Sequence, residues 1–228
     1  MPRRRPNPGI CAWCGEVTTP SRVIAHLAGC APYQAAIAAA DERTSTRDTI
    51  YHLRAQDAQT PFFWLDLAVM GTARLHDLDH YLRAIWLECC GHLSQFSDGR
   101  RGPALAIERP IHTVFQPGST LTHVYDFGTS SETTITCLGT RVGAALTPYP
   151  ITRLMRNQPP DDRCTVCQQP AIWFCAWCVG ADTAWEPRCD GHAAIYHDAA
   201  DDDAEVIRAV NSPRVGMCGY NGPAEPPY

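Results

Sequence analysis

The stretch "LTHVYDFGTSSETTITCLG" (Leu121–Gly139) decides how the chain folds. Side chains on either side of its Gly- and Ser-containing break follow the period of two of a β-strand, so it reads as two strands around a turn near Gly128–Ser131. Upstream, "PFFWLDLAVM" (Pro61–Met70) sets Phe63, Leu65, Leu67 and Val69 on one face, the pattern of a half-buried strand; "TIYHLRA" (Thr49–Ala55) opens the same region. A helix separates these strands from the hairpin. Thr72 stands where a cap belongs, Leu75, Leu78, Leu82, Ile85 and Cys89 recur every three or four residues, and Gly91 supplies a stop. Antiparallel strands, one long helix and a hairpin predict an α+β fold.

Composition narrows the class. The chain has 228 residues, 45% of them hydrophobic, which suffices for a sizeable core with small appendages. Twelve Cys are too sparse for a disulfide scaffold, and three of their pairs are tight Cys-x-x-Cys units near the ends. No run approaches the roughly 18 apolar residues of a membrane span. The basic start "MPRRRPNPGI" is followed by no apolar segment, so neither a secretory nor a twin-arginine signal is read there. A reducing cytoplasm is expected, where clustered Cys bind metal more often than they pair. The net charge of −5 disfavours general coating of DNA, leaving local basic patches. All 19 basic residues are Arg, which with the heavy Ala, Pro and Gly usage reads as codon bias.

Three regions follow: residues 1–30 with the first Cys cluster behind a basic tail, 45–157 as the central mixed domain, and 164–222 as the second Cys cluster, after the linker "NQPPDDR" (Asn157–Arg163). "CAWC" opens the first cluster, with spacing Cys11-x2-Cys14-x11-His26-x3-Cys30. On a helix capped by Ser21, His26 and Cys30 lie one turn apart on one face, and Val23 and Leu27 form a small apolar side. Four N/S donors suit tetrahedral Zn²⁺. A redox dithiol would need neither His26 nor Cys30. The spacing resembles the Cys-Cys-His-Cys ubiquitin-binding finger of some DNA-repair ligases. A finger this small is a scaffold for DNA, RNA or protein contacts, so spacing does not name the partner.

The second "CAWC" lies within Cys164-x2-Cys167-x7-Cys175-x2-Cys178-x10-Cys189-x2-His192-x4-His197-x20-Cys218. These are more donors than one ion can use. The precedent of interleaved two-zinc modules of the B-box kind assigns Cys164, Cys167, Cys189 and His192 to one ion. Cys175, Cys178 and His197 go to the other, completed by Cys218 or, alternatively, Asp198. About three Zn²⁺ per chain are expected, all in closed structural sites, since no H-E-x-x-H or H-x-E pattern offers an open catalytic position. Cys89, Cys90 and Cys137 read as packed thiols. "HDAADDDAEV" reads as a solvated acidic loop.

"ARLHDLDHYLRAIW", "GHLSQF" and "HVYDFGTSSETTI" together resemble the plasmid pRiA4b ORF-3-like family, and "RNQPPDDRCTVCQQPAIWFCAWC" with "VNSPRVGMCGYNG" resembles the zinc-bearing tail of a subset of it. The most specific pieces are Tyr125-Asp126-Phe127-Gly128 and Asn211-Ser212-Pro213-Arg214. The resemblance implies an α+β domain often encoded on plasmids and mobile elements, without an established activity. The chain departs from it at Thr129, Ser131 and Thr133, where the commoner form has an acidic residue, a Trp and a His, and at His192, where a Cys is usual.

The functional expectation is a non-enzymatic zinc protein whose fingers hold interaction surfaces. Nucleic acid would meet Arg3, Arg4 and Arg5, Arg22 on the finger, and Arg100 and Arg101; a protein partner would meet Trp13 or Trp177. No membrane partner is expected. The alternative is an enzyme with a site in the central domain near His123 and Asp126, with Glu132 or His112. Asp126-Phe127-Gly128 is no kinase magnesium motif, because the chain has no Gly-rich loop, no H-R-D and no Lys. Asp126 is expected to hold the hairpin turn, and His76 and His80 to lie on a solvated helix face.

Overall fold

The structure, a computed structural model, describes residues 7–175, 187–195 and 206–228. It divides into two compact units, one of Met1–Leu82, Leu93–Gln158 and Tyr228, the other of Arg83–His92 and Pro159–Pro227. The fold is α+β, with a large antiparallel sheet and a few helices. Among the described residues no single helix is long and apolar enough to cross a membrane.

In the first unit nine strands form one sheet. They are β1 (Gly9–Cys11), β2 (Val17–Thr18), β3 (Asp48–Asp57), β4 (Trp64–Met70), β5 (Ser94–Ser97), β6 (Ala104–Leu105), β7 (Thr120–Tyr125), β8 (Ser131–Gly143) and β9 (Ile151–Asn157). Their order is β2-β1-β9-β4-β3-β8-β7-β5-β6, with antiparallel pairing throughout. The expected hairpin is β7–β8, with Tyr125 opposite Ser131. Asp126 holds its turn: with φ at 64° it accepts from the amides of Gly128 and Thr129 at 2.9 and 3.2 Å through one carboxylate oxygen.

β4 departs from the half-buried pattern. Trp64, Leu65, Asp66, Leu67 and Val69 are all fully buried, so both faces are covered. The intervening polar residue can be enclosed because it is paired. Arg54 donates to both Asp66 carboxylate oxygens, from Nε at 2.7 Å and from Nη2 at 2.8 Å, and His52 Nε2 lies 2.9 Å from Oδ2. Trp64 and Ala68 join the core formed with Val23, Leu27 and Tyr33 of helices α1 (Val23–Gly29) and α2 (Ala31–Arg43). The residues around the first CAWC are therefore stitched to the sheet, β1 pairing with β9 from Gly9↔Asn157 to Cys11↔Met155.

The helix α3 (Leu75–Leu82) buries Leu75, Leu78 and Leu82 and packs along β9, while His76 and His80 are exposed as expected. Two details differ from expectation. Thr72 does not cap α3: its hydroxyl and amide both donate to Asp48, and the capping carboxylate is Asp77, which accepts from the Arg74 amide at 2.7 Å. The α-helix also stops at Leu82 and passes into a π-helical turn, Arg83–Leu87. Cys89 therefore does not continue the apolar stripe. The second unit contains the paired strands β10 (Trp173–Cys175) and β11 (Val206–Arg208).

Removing the carboxylate with Asp66→Ala would leave the Arg54 charge unpaired against the core. The expected loss is about 3–5 kcal/mol, read from the denaturant midpoint of the first unit. A second carboxyl gives a pH dependence. Burial pushes Asp57 up from 3.8 to about 6, against the amides of Thr60 and Gln59 that pull it down. Between about pH 4 and pH 6 the folded chain keeps a proton that the unfolded chain has lost, so stability falls as pH rises through that window. Asp57→Asn keeps an oxygen for those amides, and is expected to flatten the pH profile of the midpoint and to raise stability at neutral pH by up to about 3 kcal/mol.

Candidate metal centres

Three groups of side chains could hold a metal ion, and each has the composition Cys₃His: Cys11, Cys14, His26 and Cys30; Cys164, Cys167, Cys189 and His192; Cys89, Cys90, His92 and Cys218. Within each group all four donor atoms lie within 4.8 Å of one another. A tetrahedral ion bound at about 2.3 Å to sulfur and about 2.0 Å to nitrogen spaces its ligands about 3.6–3.8 Å apart. These groups approach that spacing.

The first centre is built from a turn and a helix. Gly15 donates to the Cys11 carbonyl at 3.0 Å and the Cys11 amide donates to Glu16 O at 2.9 Å, closing a knuckle around Cys11–Cys14. Gly15, with φ at 75°, takes the left-handed conformation this knuckle needs. α1 brings His26, and Cys30 follows at the junction of α1 and α2. Cys11 Sγ lies 4.0 Å from Cys30 Sγ, and Cys14 Sγ lies 3.5 Å from His26 Nε2. The other ring nitrogen, Nδ1, faces Glu16 Oε2 at 3.6 Å, the usual carboxylate support of a metal-binding imidazole. Ser21 does not cap this helix. It lies in a 3₁₀ turn, Pro20–Arg22, with its hydroxyl 3.2 Å from that of Thr19. Burial pushes the Cys11 thiol up to about 11, whereas the Glu16 amide draws the exposed Cys14 thiol down.

The second centre repeats the knuckle. The Gln168 amide donates to Cys164 O at 2.9 Å, the Cys164 amide to Gln169 O at 2.8 Å, and Gln168 has φ at 62°. Cys189 and His192 come from the start of a 3₁₀ helix, Asp190–Ile195, with the His192 amide bonded to Cys189 O at 3.0 Å. His192 offers Nδ1, 3.6 Å from Cys164 Sγ and 3.2 Å from Cys189 Sγ, and Cys167 Sγ lies 3.5 Å from Cys189 Sγ. Burial pushes the Cys164 thiol up, but the amides of Cys189, Cys167 and Val166 outweigh it and hold the thiol at about 6.

The third group corrects one expectation. Cys89 and Cys90 are not packed thiols: Cys90 is exposed and Cys89 half-buried, and only Cys137 is a buried thiol of the expected kind. Cys218 stands beside them, and the partners expected for it, Cys175, Cys178 and His197, fall where the structure does not test that site. Cys89 and Cys90 sulfurs are 3.3 Å apart, and Cys90 Sγ is 2.8 Å from His92 Nε2. The Cys89 thiol pushes Cys90 up to about 11. His92 escaped the sequence reading, although Cys-Cys-x-His directly after a helix is itself a dense set of donors. Cys178, His197, Asp198 and the Cys175 side chain lie outside the described residues, as do Arg3, Arg4, Arg5 and Trp177.

Of the other singled-out residues, Trp13 and Arg22 belong to the first finger without being donors, and His123 lies in the sheet. Arg22 is exposed, and Trp13 packs on Tyr33 with ring centroids 5.7 Å apart. His123 is fully buried, its Nε2 2.8 Å from Asp79 Oδ1, which also accepts from Ser94 Oγ at 2.6 Å. A cavity of about 790 Å³ in the first unit is lined by His112, Arg109 and Tyr51 among others, but not by His123, Asp126 or Glu132.

No family model matches the chain, and no curated protein matches it. Among solved structures, the crystal structure of a protein of unknown function from Methanosarcina mazei Go1 is similar, with 16% identity and a TM-score of 0.39 over 48% of this chain and 68% of that one.

Because Cys11 is both a candidate metal donor and the last residue of β1, losing an ion held at the first centre should loosen one sheet edge. Cys14→Ser is expected to lower the metal content by about one ion per chain. It should also speed hydrogen exchange at Ala12, whose amide bonds Leu154 O at 3.0 Å, and leave β3 amides unchanged. Unaltered exchange at Ala12 would show that metal does not hold this edge.

Proposed function

We propose that the chain is a non-enzymatic zinc-binding protein in which Cys₃His centres hold surfaces for contact with nucleic acid or a protein partner. The observation that carries this reading is donor count. Each group gathers four protein donors, which fills a tetrahedral zinc and leaves no open position for a reacting water. Thiolate-rich sets with one imidazole favour zinc over the hard cations, which prefer oxygen.

The first centre supports the interaction role. On its β1–β2 ribbon Ile10 stands opposite Val17, both substantially exposed, and Ile24 on α1 is 57% exposed. Arg22 is exposed on the same finger and offers a cationic contact. An enzyme site near His123 and Asp126 has less support, since His123 is enclosed and Asp126 commits an oxygen to its turn. The resemblance to the plasmid pRiA4b ORF-3-like family supports a cytoplasmic protein of plasmids or mobile elements.

Mobility shifts with zinc-loaded protein at graded salt test the partner class. Binding to duplex DNA should weaken with a log–log slope of about −0.9 per phosphate contact, and Arg22→Ala should reduce the slope by about one contact. Absence of any shift at low salt assigns the surface to a protein partner. Purified chain without zinc, its cysteines in disulfides, would overturn the reading.

A further inference from the structure

The third Cys₃His group differs from the other two in how it is assembled. Cys89, Cys90 and His92 follow the π-helical turn within five residues, whereas Cys218 comes from the far end of the second unit's sequence. No Cys-x-x-Cys knuckle prearranges it. Two further observations point to a ligand.

The first is Arg214, which is fully buried. Its Nε and Nη2 each donate to Cys89 Sγ at 3.4 Å, and Nη2 also donates to Cys218 Sγ at 3.4 Å. A buried guanidinium is costly without strong acceptors, and a neutral thiol is a weak one. Thiolates are strong acceptors, but three of them within 4.8 Å of one another repel, and a divalent cation among them removes that repulsion. A divalent ion with three thiolates and a neutral imidazole carries one net negative charge, which the Arg214 charge balances.

The second is the backbone of Cys218, which sits at φ 50° and ψ 35°. That left-handed conformation is unfavourable for a non-glycine residue and persists where the surroundings hold it. The adjoining chain is held in the same direction. Ser212 Oγ donates to the Trp86 carbonyl at 2.5 Å, inside the π-helical turn, and accepts from the Arg214 amide at 2.9 Å. Asn211-Ser212-Pro213-Arg214 thus has two roles in one place: Ser212 anchors the segment to the π-helical turn, and Arg214 faces the sulfurs.

We propose that Cys89, Cys90, His92 and Cys218 bind a zinc ion as a clasp that fixes the 211–220 segment to the π-helical turn Arg83–Leu87 of the same unit, with Arg214 as the counter-charge of its thiolates. This centre is structural, and it stands whether or not the finger surface engages nucleic acid.

Alkylation of the full zinc-loaded chain under reducing conditions tests it without any substitution. Cys90 is exposed, so burial cannot shield it, and because its raised thiol pKa slows it with or without an ion, the reading is the change in its rate when zinc is removed. The expected result is that Cys89, Cys90 and Cys218 react slowly and become reactive together at one concentration of a zinc chelator, while Cys137 does not respond. A Cys90 rate that does not change when zinc is removed would overturn the proposal. Cys218→Ser should hold about one zinc fewer than the parent, and an unchanged content would equally overturn it. Arg214→Gln should weaken retention at this centre about 10- to 100-fold in a chelator competition, and Arg214→Lys should recover part of it. Cys14→Ser should lose the finger's ion yet leave Cys90 protected, which separates failure of this clasp from failure of the finger.

Discussion

A carboxylate with no solvent exposure, Asp66, lies in the middle of β4, and the first unit is arranged around its neutralisation. Arg54, directly opposite in the β3–β4 register, clamps both carboxylate oxygens. The same guanidinium reaches further: Nη2 donates to the Pro20 carbonyl at 2.9 Å, and Cζ lies 5.3 Å from the centre of the Trp64 ring. One cation thus ties the sheet to the turn that starts the finger. Val23 and Leu27 of α1 can then pack onto Trp64 and Ala68, so the face that carries a buried charge is also the face that carries the finger.

That arrangement changes what the first metal centre holds. A free-standing finger has only its ion and a few apolar residues to hold it together. Here Cys11 and Cys30 belong to a core cluster that includes Trp64, Leu154 and Met155 from the sheet. An ion bound there would be coupled to the core through the same residues, because Cys11 is a candidate donor, the end of β1 and part of the cluster. The exposed Ile10–Val17 pair is carried on this anchored ribbon, which gives a contacting surface a fixed orientation.

What was legible in the sequence was local. The two knuckles share one hydrogen-bond pattern: the fifth residue donates to the first Cys carbonyl, and that Cys donates to the carbonyl of the sixth. Such a turn is dictated over six residues, and so Cys-x-x-Cys spacing announces it. The hairpin around Asp126 and the Leu75–Leu78–Leu82 stripe are equally local. The misread features depend on distant partners. Asp66 looked like the outward residue of an alternating strand, because its neutralising Arg lies on another strand. Thr72 looked like a cap, but Asp48 takes its hydroxyl and amide, and Asp77 takes the Arg74 amide instead. Cys89 fitted the helical period, and that fit hid the π-helical turn which redirects it. Cys218 has described neighbours, Cys89, Cys90 and His92, more than a hundred residues upstream, a proximity that spacing along the chain does not announce.

The electrostatic surroundings of the centres show that equal donor sets need not have equal roles. With zinc bound as proposed, three thiolates, one imidazole and a divalent ion would leave the same net negative charge in each. At the first centre the facing group is Glu16, a mostly exposed carboxylate behind His26, which makes the imidazole a better ligand and adds negative charge at the surface. Water can solvate that excess because Cys14 is exposed. At the third group the facing charge is positive and buried, and it belongs to Arg214. Cys90 and Cys218 are exposed there too, but the Arg214 charge is itself shut off from water, so its counter-charge must come from within the chain. A centre whose charge is cancelled internally is suited to holding segments together, and one whose charge is left to solvent is suited to standing at a surface. The exposed Ile10, Val17 and Ile24 surround the second kind.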